Sequence, residues 1–206
     1  MNGKMLSILR NATLVALAAA TLGGCAALVV GGAVGTAMVV SDRRTSGVQV
    51  EDQAIELKAV TRIREAVGER GHINTTSYSR MVLLTGEVAS EADRTAIEQA
   101  VSRIENVRSI VNELAVMGST SLTARSNDTI LTSKVKATFV DAKDLQANAV
   151  KVVTERGSVF LMGRVTEREA ARATELARGI SGVQKVVRVF EILTEAELAA
   201  LGGNKN

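Results

Sequence analysis

The sequence predicts an α+β protein made of two tandem αββαβ units, each a three-stranded mixed sheet with two helices on one face. Three observations carry this reading. First, a strand-like run occurs twice: Val82-Leu-Leu-Thr-Gly86-Glu-Val88 matches Val159-Phe-Leu-Met-Gly163-Arg-Val165 at an offset of 77. Second, Ile104, Val107 and Val111 match Ile180, Val183 and Val187 at an offset of 76, so one residue is gained or lost between the two anchors. Self-similarity at a fixed spacing marks a repeated supersecondary unit. Third, the apolar period switches between helical and strand-like spacing in the same order in both copies.

Each copy opens with a helix, residues 52–67 or 128–140. Its apolar positions fall four apart at Ala59, Ile63 and Val67, and at Leu131, Val135 and Phe139, which are aligned with one another. Two short strands follow, 73–79 with 81–88 and 149–154 with 158–165. The second pair turns at Glu155-Arg156-Gly157, where glycine supplies a positive φ. Gly86 and Gly163 interrupt the second strand, the mark of a bulge or a close backbone approach. A second helix covers 90–103 or 166–178. Ser90 stands three residues before Asp93 and Thr166 three before Glu169, close to capping-box spacing. A last strand spans 107–116 or 183–193, and the strand-helix-strand part is expected to cross over right-handed. Units of about 65 residues sit near the lower limit for an independent core, so they gain stability by docking on each other. The units are placed at 52–117 and 127–193, with a linker at 118–126 and a tail at 194–206 that starts as a short helix over 194–201.

The N-terminus reads as a targeting segment. Lys4 and Arg10 precede an apolar run at 12–22, then Leu22-Gly-Gly-Cys25. A basic start, a short apolar core and small residues before the cut are the marks of a secretory signal. The cut would fall before the only cysteine of the chain, giving a signal peptide at 1–24 and a lipidated apolar segment with a polar linker at 25–51. An alternative is a membrane span, because residues 12–40 are uncharged and long enough to cross a bilayer. Gly23, Gly24, Gly31, Gly32 and Gly35 break that stretch. A plain secretory signal with an incidental cysteine is the other alternative.

Composition excludes several function classes. Aromatic residues make up 2% of the chain, so stacking platforms for bases are nearly absent. One Cys and one His cannot build a zinc site of the usual Cys/His kind, nor an intrachain disulfide. No cofactor motif is present: Gly31-Gly32 and Gly35 do not follow a strand, so they are no phosphate loop. Removal of residues 1–24 takes away two cations and no acid, leaving 23 against 22, so charge implies no nucleic-acid partner. Glu167-Arg168-Glu169 with Arg172 reads as a solvated helix face rather than a catalytic carboxylate pair. His72, after Gly71, reads as an exposed loop imidazole. A non-enzyme is expected.

The V-x-L-x-G-x-V strand, the αββαβ order and the Asn-Val or Gly-Val before the last strand resemble the BON domain. Two such units behind a lipobox-like Leu22-Gly-Gly-Cys25 resemble the dual-BON outer-membrane lipoproteins of the DolP (YraP) type. The likeness covers nearly all of residues 42–193, including Asp42-Arg-Arg-Thr45, Gln49-Val-Glu-Asp52 and Ser126-Asn-Asp-Thr129. It implies acylation of Cys25 and attachment to the inner leaflet of the bacterial outer membrane, facing the periplasm. Ala26, in place of an Asp after the Cys, fits that address. It also implies binding of anionic phospholipid (phosphatidylglycerol, cardiolipin) through the first helix of the second unit, and a role in envelope integrity.

That helix can also be read from its residues. If Leu131, Val135 and Phe139 face the sheet, Ile130 faces outward, aligned with Lys58 of the first unit. Lys134, Ala137 and Val140 continue that side, with Lys136 nearby. An apolar tip ringed by positive charge suits a headgroup interface. The alternative is that Ile130 packs between the two units. At the level of function, the alternative is a protein-binding adaptor in outer-membrane assembly or the envelope stress response, with assembly or division proteins as partners.

Overall fold

The computed structural model describes residues 42–203. The stretch read as a signal peptide, Cys25 and the apolar segment to Val40 therefore lie outside the described residues. The first repeat runs α1 (Ser46–Val67), β1 (His72–Tyr78), β2 (Met81–Val88), α2 (Glu91–Ser102) and β3 (Ser109–Val116). The second runs α3 (Leu122–Asp141), a 3-10 turn (Ala147–Ala149), β4 (Val150–Glu155), β5 (Ser158–Thr166), α4 (Glu167–Arg178) and β6 (Lys185–Leu193), and α5 (Glu195–Gly203) follows. In each sheet the central strand pairs antiparallel with the strand before it and parallel with the strand after the helix. These are the predicted three-stranded mixed sheets. Among the described residues no helix is long and apolar enough to cross a membrane.

Both first helices start earlier than the apolar period suggests. Residues 46–51, read as linker, form the opening of α1, and α3 begins at Leu122 inside the stretch read as linker at 118–126. The cause is capping. Thr45 accepts a hydrogen bond from the Val48 amide, and Ser121 accepts one from the Ala124 amide, so each helix is nucleated a full turn or more before its first buried residue.

The hairpins explain the register of the repeats. Ser79 and Arg80 have φ of 54° and 65°, and Arg156 and Gly157 have 49° and 69°. Two central residues at positive φ make the turn whose twist suits a two-residue hairpin, but non-glycine residues resist that region. A buried aspartate on the first helix holds each turn. Asp52 accepts from the Ser79 and Arg80 amides, both at 2.8 Å, and from Ser77 Oγ at 2.7 Å. Asp128 accepts from the Arg156 and Gly157 amides, also at 2.8 Å.

This pairing corrects the sequence alignment by one helical turn. The buried residues Asp52, Ile55, Ala59 and Ile63 correspond to Asp128, Leu131, Val135 and Phe139. Ile130 is therefore the counterpart of half-buried Ala54, not of Lys58. A slip of four residues keeps the same helix face, so the outward placement of Ile130 survives the error.

Each sheet uses both faces. Val82, Leu84 and Val88 join Ile55, Ala59, Ile97 and Val101 in the first helical core, and Val159, Leu161 and Val165 do the same with Leu131, Val135 and Phe139. The alternate residues point the other way. Tyr78, Met81 and Leu83 meet Phe160, Met162 and Val189 in a third cluster, where the two sheets pack on each other. The layers are thus helices, sheet, sheet, helices. All eight positions of β2 are buried, as expected for a central strand covered on both faces. Gly86 and Gly163 are close-approach positions: a Cβ there would run into the carbonyl oxygen of His72 or of Ala149.

Residues 42–44 tie the repeats together. Arg43 forks onto both oxygens of Glu169 at 2.7 Å and donates to the Arg164 carbonyl at 2.8 Å. Arg44 grips Asp42 and Asp52 and lies 4.1 Å from the centre of the Tyr78 ring.

Candidate functional site

Helix α3 buries Asp128, Leu131, Val135 and Phe139, and this fixes what its other side shows. Ile130 is 55% exposed and Val140 70% exposed, and Ile130 takes no part in the cluster between the sheets. The alternative that Ile130 packs between the repeats is thereby removed. At about 100° per residue, Ala137 lies beside Ile130, with Val140 further round. Lys134 flanks the Ile130 edge of this ridge and Lys136 the Val140 edge. The two lysines thus stand on opposite flanks rather than side by side, and Lys134, Lys136 and Ala137 are all exposed. Neither lysine makes an ion pair with a described residue. Ile130 and Lys134 also form one lip of a cleft of about 560 Å³ whose other walls include Arg156, Gly182 and Gln184.

Most hydroxyl groups of this helix are bonded to its own backbone. Ser126, Thr129, Ser133 and Thr138 each donate their hydroxyl at 3.0 Å to the carbonyl four residues earlier. Such back-bonding turns the methylene or methyl side of Ser and Thr outward. A face built this way loses few hydrogen bonds when water is removed.

Two other sequence readings change. Glu169 is not on a solvated face: it is buried, closes a capping box with Thr166 and receives Arg43. The Arg43 hydrogen bonds hold its carboxyl below the ordinary range against the upward push of burial. Arg172 pairs with Asp144 and Glu175 at the surface. His72 is not a free loop imidazole either. It is the first residue of β1 and stands opposite Glu87 in the ladder. Its Nδ1 is shielded from solvent without a hydrogen bond, 3.8 Å from Glu87 Oε2. Burial pushes the Glu87 carboxyl up, but Arg156, at 2.8 Å, and the Thr120 amide outweigh it and hold the carboxyl below its usual value. Glu155 of the second repeat completes this group and receives Asn74 Nδ2 at 3.0 Å. Sequence reasoning missed the group because its members lie about 15 to 80 residues apart. Only the near-equal spacing of the two aspartates before each turn, 27 residues from Asp52 to Ser79 and 28 from Asp128 to Arg156, could have exposed the repeat register.

The BON domain matches the chain twice, over residues 51–118 and 127–194. The chain belongs to the BON domain family. The two matches coincide with the two αββαβ repeats, and α3 is the first helix of the second BON domain. The chain is 37% identical to "Outer membrane lipoprotein DolP" of Haemophilus influenzae, over 92% of this chain and 96% of the relative. It is 30% identical to "21 kDa hemolysin" of Actinobacillus pleuropneumoniae, over 72% of this chain and 78% of that one. It is 28% identical to "Osmotically-inducible protein Y" of Escherichia coli K12, over 66% of this chain and 70% of that one.

Proposed function

We propose that this chain is a lipid-anchored outer-membrane protein of the envelope whose second BON domain binds anionic phospholipid through α3. Acylated Cys25 supplies attachment, with the body facing the periplasm, and the chain acts as a binding module rather than an enzyme. The observation that carries the reading is the ridge of Ile130, Ala137 and Val140 between unpaired Lys134 and Lys136, on a helix most of whose hydroxyls are bonded to its own backbone. Entry of one aliphatic side chain into the acyl boundary contributes about 1.5–3 kcal/mol, and each lysine near an anionic surface about 1 kcal/mol. That is weak binding for a free protein. It suffices for one already held at the bilayer, where the effective concentration of lipid is high. Support for the anchor comes from the Leu22-Gly-Gly-Cys25 signal and from a relative that bears the name of an outer-membrane lipoprotein.

A chain of residues 42–206 should bind vesicles rich in phosphatidylglycerol or cardiolipin and ignore neutral ones. Ile130→Glu should abolish this with an unchanged circular-dichroism melt. Equal binding by that variant would reject the site and leave the ridge to a protein partner. Mass spectrometry of the mature protein tests the anchor, since Cys25→Ala should leave an uncleaved precursor.

A further inference from the structure

The seam between the two BON domains ends in a group of side chains that lipid binding does not use. His72 and Glu87 are cross-strand neighbours in the first repeat, and Glu155 closes β4 in the second. One ligand-capable atom from each lies within 4.8 Å of the others. Glu87 and Glu155 are both buried, and the buried Nδ1 of His72 has no hydrogen-bond partner. A shielded polar atom without a partner needs a physical explanation.

We propose that His72, Glu87 and Glu155 form a binding site for one divalent transition-metal ion of the zinc class, which fastens the first repeat to the second. The 3.8 Å between His72 Nδ1 and Glu87 Oε2 is too long for a hydrogen bond. It is close to the edge of a zinc tetrahedron, about 3.4 Å at ordinary Zn–N and Zn–O lengths. Neutral imidazole with two carboxylates is a donor set for zinc and its neighbours. Calcium and magnesium ask for six or more oxygens, which this corner lacks. Arg156 occupies Glu87 Oε1 at 2.8 Å and leaves Oε2 to face His72. Oε2 accepts from the Thr120 amide at 3.2 Å and from the Thr120 hydroxyl at 3.3 Å, so the rotatable hydroxyl proton turns away to free a lone pair for the metal. A cleft of about 190 Å³, lined by His72, Asn74, Arg125 and Glu155, opens onto two of the three ligands and gives the ion a way in. The site joins strands of both repeats, so the ion acts as a staple across the seam. None of its three ligands lies on α3, although Arg125 of that helix lines the cleft, and the site shares no residue with the ridge of Ile130, Ala137 and Val140.

The chain contains one histidine, which gives an unambiguous probe. The full chain in detergent, without a histidine tag and stripped with chelator, is titrated with zinc chloride. Calorimetry should show one zinc per chain with micromolar affinity, weakened at least about tenfold in His72→Ala and in Glu155→Gln. At saturating zinc the melting temperature should rise by about 5 °C, and magnesium chloride should not compete. The imidazole resonances of the unaltered protein should move with zinc, a readout that needs no variant to fold. Resonances unmoved at millimolar zinc would overturn the site, even if they titrate with pH, since that result makes the group a proton site. Unchanged zinc binding in both variants would overturn it as well.

Discussion

Helices α1 and α3 hold the same place in their repeats and present comparable amounts of apolar surface to solvent. Val50, Leu57 and Val60 protrude from α1, and Leu122, Ile130 and Val140 from α3. Their charges differ. Helix α1 carries four carboxylates against three exposed cations, and two of those cations are matched: Lys58 meets Glu105 at 3.4 Å and Arg62 meets Glu65 at 3.0 Å, while Arg64 forms no ion pair with a described residue. Helix α3 carries two carboxylates against three cations, and one of those carboxylates, Asp128, is spent on the hairpin turn. Greasy residues are therefore common to both repeats, and the unpaired lysines beside them are not. Exposed aliphatic side chains next to carboxylates would meet repulsion at an anionic bilayer, whereas the same residues next to lysine are drawn to it.

The comparison is sharpened first by the two buried aspartates. Asp52 satisfies four donors and Asp128 two. Asp52→Ala should lower stability by about 3–4 kcal/mol and Asp128→Ala by about 2 kcal/mol, measured by urea unfolding. Equal losses would mean that the turn amides alone matter and that the extra partners of Asp52 are passive.

Next comes the membrane contrast. Leu57→Glu should leave vesicle binding unchanged, although Leu57, at 73% exposed, protrudes more than Ile130. Lys134→Gln and Lys136→Gln should each weaken sedimentation with anionic vesicles by about fivefold, and Lys58→Gln should not. A loss at Leu57 comparable to that at Ile130 would break the distinction between the helices.

The smallest effect concerns acid. The Glu169 carboxyl is held below its ordinary value in the folded chain, so it favours the folded state above about pH 4.5 and loses that contribution as pH falls through the lowered value. The melting temperature should therefore hold between pH 7 and about pH 5 and fall below that. Arg43→Ala should remove part of the fall, because the Glu169 value then returns toward normal.

Much of the fold was legible because it is written in local patterns. β2 was read at its full extent, 81–88, because its apolar run is bounded by turn residues on both sides. Helix α4 was legible from Thr166 and Glu169, which form the capping box that their spacing suggests. The early starts of α1 and α3 were not, since Thr45 and Ser121 precede stretches with little apolar period, and the alignment slipped by a turn for the same reason. Ile130 came out on the right face because helix geometry repeats every turn. Lys134 and Lys136 fall on opposite flanks of the ridge, because residues two apart on a helix do not share a side.

The sequence by itself determined the repeat, the order of its elements and the outward ridge of α3, because periodicity, capping residues and glycine act on neighbours a few positions apart. Only the tertiary structure decided which face of each sheet becomes the seam, that Arg43 reaches Glu169 across 126 positions, and that His72 meets Glu87 and Glu155. Both faces of β2 and β5 carry large apolar side chains, and pairs from different repeats are brought together by docking, which leaves no trace in the spacing of residues along the chain.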